Sequence, residues 1–432
     1  MTNLLAARTQ MALSLGFHII FAEIGIAMPV LMVLAEWRWR RSGGLDDEYL
    51  QLAKRWARGS AILFAVGAVS GTVLSFELGL LWPGFMQFAG PIVGMPFSLE
   101  GFAFFTEAIF LGVYLYAWGR ISPAAHLAAG VVVAASGAAS AVFVVMVNAW
   151  MNSPTGLLMS GGRITHIDPI AGMLNPSTFQ QVLHMLLASY AATGLAVAGI
   201  HAAMLRRRRD AVFHRHALGL ALLIGAPAAV LQPLSGDLSA RTVAVWQPVK
   251  LAALEGQFDT QQGAPLRIGG WPDVAARTTK HALEIPHGLS LLAFHDWNAE
   301  VRGLTAFDPD VWPPVAPVHV GFQIMVALGT LMALVGLWAG WVALRGRQFA
   351  EHTALLRALA IVTPFGFIAT EAGWTVTEVG RQPWVVQGIL RTSDAVSPMP
   401  GLVVPMIVFG LLYVGLAGIV VTTIAGLVRE TR

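Results

Sequence analysis

The chain contains no cysteine, which excludes disulfides, thiolate metal sites, iron–sulfur clusters and thioether-linked c-type haem. Any metal must be held by His, Met or a carboxylate. Charge is the second scarcity: 12% of the 432 residues are charged and 56% are hydrophobic, about half the charged share of an ordinary soluble domain. With a mean hydropathy of +0.65, this excludes a soluble globular protein and leaves a polytopic membrane protein. The net charge of +3 and pI near 9.5 would suit a nucleic-acid binder. The basic residues, however, sit in short stretches between apolar runs and read as topology signals, so no nucleic-acid partner is expected. The N-terminus carries only Arg8 ahead of its apolar run, shows no small-residue cleavage site, and the run is too long for a signal peptide, so it reads as a span. The sequence shows no clear internal repeat and no low-complexity tract.

Nine segments are long enough to cross a bilayer, which takes about 20 residues at about 1.5 Å each. They cover about 10–36, 59–82, 97–118, 126–150, 178–205, 216–235, 319–344, 354–379 and 401–428, so the expected fold is an all-α integral membrane protein with nine transmembrane helices. Basic residues follow alternate segments: Arg38, Arg40, Arg41, Lys54, Arg55 and Arg58, then Arg206 to Arg209 and Arg215, then Arg345 and Arg347, and finally Arg429 and Arg432. These fall on one side, which makes that side and the C-terminus cytoplasmic and the N-terminus external. The chain then divides into helices 1–6 (1–235), an external connection (236–318) and helices 7–9 (319–432). A connection of that length reads as a functional loop or lid, and it carries the short amphipathic piece from Gln247 to Glu255.

Ionisable groups inside spans are costly and point to function. Orientation converts their sequence position into depth. His18, His184 and Met325 lie on descending helices roughly 9–12 Å below the outer edge, and Glu378 reaches the same level on a rising one. Singly, a membrane histidine serves an interhelical hydrogen bond and a methionine serves packing. Together, four such donors at one depth suit haem iron, which accepts His or a His/Met pair. The plain alternative for Glu378 is an ion pair with Arg381 at a helix end, flanked by interfacial Trp374 and Trp384; depth counting favours the iron. Glu100 and Glu107, seven apart, share one helix face and suit a proton relay. Glu23, Glu77 and Glu371 are further acids within spans, for which structural and proton-holding roles both stand. Asn148 reads as an interhelical hydrogen bond and Trp150 as an interface anchor.

These residues resemble subunit I of the cytochrome bd-type quinol oxidases along essentially the whole chain. The specific pieces are Gly380-Arg381-Gln382-Pro383-Trp384 preceded by Glu371, Trp374 and Glu378; Glu100-Gly101 with Phe104-Phe105-Thr106-Glu107; Arg8-Thr9-Gln10 before His18; Asn148-Ala149-Trp150-Met151; His184; and Lys250-Leu251-Ala252-Ala253-Leu254-Glu255. The resemblance implies a bundle with three haems near the outer face. His184 and Met325 match the axial ligands of a low-spin b haem. His18 and Glu378 match ligands of the two high-spin haems, one a second b haem and the other d or a further b. Trp374 matches a tryptophan between haems and Arg381 an arginine suited to propionates. Glu100 and Glu107 match proton-carrying acids, while Lys250 and Glu255 match the part of the external loop that oxidises ubiquinol or menaquinol. Expected partners are a subunit II in a heterodimer, a small single-helix subunit and lipid, in a bacterial cytoplasmic (inner) membrane, with O2 reduced to water by cytoplasmic protons.

Several positions depart from better-known members. Ser75-Phe76-Glu77-Leu78-Gly79 replaces a Glu and Gln pattern, Gln323 stands where an arginine is often found, Glu23 is unusual beside His18, and the external loop lacks a long insertion. These features resemble the short-loop, cyanide-insensitive branch. Two other functions compete with the oxidase: a cofactor-free proton channel or transporter lined by Glu100, Glu107 and Glu378, and a haem conduit that passes electrons without reducing O2.

Overall fold

In lipid every backbone N–H and C=O needs a partner, and a helix supplies all of them from within the segment. The computed structural model describes residues 1–161, 163–208 and 211–429; Arg209 and Arg432 of the basic topology signal lie outside them. Among the described residues nine stretches are long and apolar enough to cross a membrane. The helices are α1 (Asn3–Arg41), α2 (Asp47–Leu81), α3 (Pro83–Tyr116), α4 (Pro123–Asn152), short α5 (Pro169–Met173), α6 (Thr178–Leu205), α7 (Val212–Trp246), short α8 (Pro248–Leu254) and α9 (Gly288–Phe294), α10 (Val315–Leu344), α11 (Thr353–Val362), α12 (Phe365–Val379), short α13 (Thr392–Ala395) and α14 (Val403–Arg429).

The helices outrun the apolar segments. Hydropathy marks only the part in hydrocarbon, whereas a polar turn in water or against protein stays helical when its side chains pair. α7 continues past 235 to Trp246, carrying an ion pair between Arg241 and Asp237 one turn apart, so the first part of the connection after the sixth span is helical. The eighth span breaks between α11 and α12, because Pro364 has no N–H to continue the ladder; the Thr363 hydroxyl caps the Ala360 carbonyl there at 3.0 Å. The expected all-α character describes the membrane part. The connections add five short antiparallel pairs among the described residues, three of them in the external connection: 261–262 with 300–301, 266–268 with 283–285, and 271–273 with 278–280.

Two groups of helices form the body. α1 to α4 close around Leu31, Met32, Leu52, Tyr114 and Val133; α6, α7, α10 and α11 close around Leu195, Leu218, Met332 and Leu359. α14 lies outside, joined to α1 by Phe17 against Tyr413 with ring centroids 4.7 Å apart, and leaves Val404, Ile407, Leu411 and Val414 exposed.

Lipid tails are as apolar as leucine, so close packing between small residues holds such helices together. On α6, a methyl group added to Gly194 would lie 2.6 Å from the Cα of Gly225 on α7. Gly219, also on α7, has open space around it. Gly194→Leu is therefore expected to destabilise the protein by about 1–3 kcal/mol through overpacking, seen as a lowered unfolding midpoint in detergent, while Gly219→Leu leaves the midpoint unchanged. Equal midpoints for the two variants would contradict this packing.

Candidate functional site

Two histidines are held in the same way. His18 of α1 has Nδ1 2.9 Å from Ser70 Oγ of α2. The single Ser70 hydroxyl proton is directed to the Val66 carbonyl, 3.0 Å away. The oxygen therefore accepts, His18 donates from Nδ1–H, and Nε2 keeps its lone pair. His184 of α6 repeats this on α7, with Nδ1 2.9 Å from Ser235 Oγ and the Ser235 hydroxyl donating to Gln232 O at 2.8 Å. Each serine is followed by a glycine beside the ring: a methyl on Gly71 would crowd His18 Cε1 at 3.0 Å, whereas one on Gly236 would meet His184 Cε1 at an ordinary contact distance of 3.6 Å. The separations from histidine to serine are 52 and 51 residues. Sequence reading singled out neither Ser70-Gly71 nor Ser235-Gly236. The available signal was this matched spacing, which is weak because small residues crowd every membrane helix. Gln232 is the other residue it missed: its Nε2 lies 3.1 Å from His184 Nε2 and donates to His184 O at 3.1 Å.

At the end of α12, Glu378 accepts from Asn148 Nδ2 of α4 and from Arg381 Nη2. The ion pair that depth counting set aside is present. Arg381 is buried, yet its Nε and Nη1 have no partner. The network extends into the connection between α7 and α10. Asn152 Nδ2 donates to Asn148 Oδ1 at 2.9 Å, and Gln247 Nε2 and Lys250 Nζ donate to Asn152 Oδ1 at 3.0 and 3.3 Å. Asn148 is thus more than an interhelical bond, because it joins α4 to the carboxylate and, through Asn152, to α8.

Lys250 and Glu255, expected to act side by side, point apart. Five residues on a helix turn a side chain by roughly 140°. Lys250 faces Thr377 O at 3.2 Å, and burial, with Arg381 adding repulsion against the pull of Glu378, lowers its pKa to about 7. Glu255 lies buried on the other side with Oε2 unpartnered; burial pushes its pKa up to about 8 against the pull of Arg267. His319 of α10 clamps this end, with Nδ1 2.8 Å from Leu254 O and Nε2 3.1 Å from Gly269 O. Gln323 is committed to the same loop, accepting from Gly269 N at 2.9 Å and donating to Arg267 O at 3.1 Å.

Glu100 and Glu107 do share a face, and it is turned to α4. Ser140 Oγ donates to Glu100 at 3.1 Å, and a methyl on Gly137 would lie 3.2 Å from both Glu107 oxygens. Met325 of α10 packs its sulfur on α12, 2.9 Å from where a methyl on Gly373 would stand, beside half-buried Trp374. Glu77 belongs to the α1–α2 seam, accepting from Gln10 and Ser14 at 2.8 Å each.

These features fit haem. Nδ1-anchored His18 presents Nε2 for a metal, as His184 would on parting from the Gln232 amide, and a buried guanidinium with two unpartnered N–H sites suits a propionate carboxylate. The class defined by fold and site is a multi-pass membrane protein built to hold haem among its helices. The model of the family described as "Cytochrome bd terminal oxidase subunit I" matches residues 6–432. The chain is similar to a Bacillus subtilis (strain 168) protein provisionally named cytochrome bd menaquinol oxidase subunit I, 39% identical over 98% of this chain and 95% of that one. It is similar to the cytochrome bd ubiquinol oxidase subunit 1 of the same organism, 30% identical over 98% of this chain and 92% of that one. Among solved structures, the bd oxidase from Geobacillus thermodenitrificans superposes with a TM-score of 0.92 at 38% identity, covering 100% of this chain and 99% of that one. The chain belongs to the cytochrome bd terminal oxidase subunit I family.

Loss of the serine that fixes an imidazole weakens metal binding by about 10–100-fold in comparable sites. Ser235→Ala is expected to lower the haem-to-protein ratio of the purified protein after detergent dilution, and Ser235→Thr, which keeps the hydroxyl, to preserve it. A ratio unchanged in Ser235→Ala would contradict the anchoring role.

Proposed function

We propose that this chain holds three haems near the outer face of a bacterial cytoplasmic membrane, and that with a subunit II it oxidises quinol outside and reduces O2 to water with cytoplasmic protons. The observation that carries the reading is the pair of Nδ1-anchored histidines on two different helix pairs. His184 and Met325 would hold the low-spin b haem. His18 and Glu378 would hold the high-spin pair, a b haem with a d or second b haem. Bound haem supplies one-electron transfer and an oxygen-binding iron.

The chain's own residues supply the rest. Arg381 would take a propionate with its free N–H groups, and Asn148 orients Glu378. Trp374, one turn before Glu378 on α12, would stand between haems. Glu255 sits where a quinol hydroxyl could lose its proton by general-base action, while Lys250 ties the loop to the Glu378 network. Glu107, with Glu100, would hold protons on their way from the cytoplasm. The menaquinol name of the 39% relative supports menaquinol as the first substrate to test. Neither a cofactor-free channel nor a non-reducing conduit accounts for anchored histidines together with family membership.

A dithionite-reduced visible spectrum of the purified complex is expected to show haem bands, and His184→Ala to remove the low-spin component; a colourless protein, or a variant that keeps that component, would refute the assignment. Glu107→Gln should slow O2 consumption with haem content unchanged, and unaltered turnover would refute the relay. Glu255 acts as a base only when ionised and its pKa is about 8. The kcat/KM for quinol should therefore climb as pH rises from 7 through 8, and Glu255→Gln should flatten that climb. A wild-type profile already flat over this range would contradict the role.

A further inference from the structure

Two acids within the spans, buried Glu23 and half-buried Glu371, have no part in the roles above. Glu23 of α1 is 4% exposed, and neither of its carboxylate oxygens has a hydrogen-bond partner, although the Thr370 hydroxyl of α12 approaches it. Glu371 of α12 has its Oε1 unpartnered, and its Oε2 reaches across to α1, 3.1 Å from where a methyl on Gly16 would stand. Gly16 and Glu23, seven apart, share one face of α1. Glu371 thus meets the same face of α1 that carries Glu23, and among the described residues no ion pair includes either acid. An uncompensated carboxylate in hydrocarbon costs too much to persist as a charge, so each acid is a place where a proton is held.

The position of the seam gives that proton a use. α1 supplies His18 five residues before Glu23, and α12 supplies Glu378 seven residues after Glu371. Both acids thus lie on the two helices that carry the high-spin ligands, with Glu371 reaching the turn that precedes His18. We propose that Glu23 and Glu371 form a second proton-holding relay, in series along the α1–α12 seam, which delivers protons to the oxygen-reducing site separately from Glu100 and Glu107 on α3. The step is a proton transfer alone: a carboxyl O–H of Glu23 breaks, a carboxyl O–H of Glu371 forms, and Glu23 is reprotonated from the cytoplasmic side. The relay rests on the oxidase reading, since it needs a reaction that consumes protons.

The test uses the purified oxidase complex carrying Glu23→Gln, Glu371→Gln and both. Haem content and the reduced spectrum are expected to stay as in the wild type, while O2 consumption per haem falls at least about tenfold in each single variant. Two steps in series make the double variant no slower than the slower single one. Redox-triggered infrared difference spectra should each lose a protonated-carboxyl C=O band that shifts in D2O, a signature a merely structural acid would not give. Turnover per haem within about twofold of wild type, all carboxyl bands retained, or a stoichiometric divalent cation lost from the variants would each overturn the relay. If a Gln variant does not assemble, Glu23→Asp and Glu371→Asp keep the acid and should move the band; an unmoved band overturns the proposal. A wild-type complex without haem would instead overturn the oxidase reading.

Discussion

Hydrocarbon gives no hydrogen bonds, and every buried polar group in this protein answers to that constraint. Most are satisfied within the fold. Glu77 is claimed by Gln10 and Ser14, Glu36 by Arg40 and His126, and Glu100 by Ser140. Among the groups left without a protein partner are two N–H sites on Arg381, the oxygens of Glu23 and one oxygen each of Glu77, Glu255 and Glu371. In a medium where such a group costs several kcal/mol, an unmatched donor or acceptor implies a ligand or a proton, and the chemistry of the chain is concentrated at these places.

Small residues make the rest possible. Gly194 against Gly225 brings α6 and α7 within backbone contact, Gly71 leaves room for the His18 ring, and the hydroxyls of Ser70 and Ser235 fix the two histidine tautomers. The two histidine shelves lie in separate helix groups, one in α1–α4 and one in α6, α7, α10 and α11. The external connection is tied to the membrane site through Lys250 and Asn152 to Asn148 and Glu378. A change at α8 therefore has a covalent and hydrogen-bonded route to the end of α12.

Much of this could be read from the residues. Nine apolar runs gave nine spans because hydropathy measures directly what lipid requires. The limits were physical. Hydropathy does not report where a helix stops once it leaves lipid, so the extension of α7 to Trp246 was missed and Ser235 fell at a supposed span end. The Pro364 break was visible as a proline, but its consequence depended on Thr363 recapping the ladder. Motif order placed Lys250 and Glu255 in one segment, whereas the helical pitch of α8 sends them to different environments. Glu378 illustrates the same limit: its distance along the chain suited both an iron and Arg381, and only the fold shows that Arg381 is paired with it and still has free donors.

The central claim is that anchored imidazoles, a thioether and a carboxylate on four helices hold haem. Pyridine-haemochrome analysis of the purified complex, set against quantified protein, tests it most directly. Three haems per copy of this chain are expected, and a protein carrying none, or one only, would contradict it.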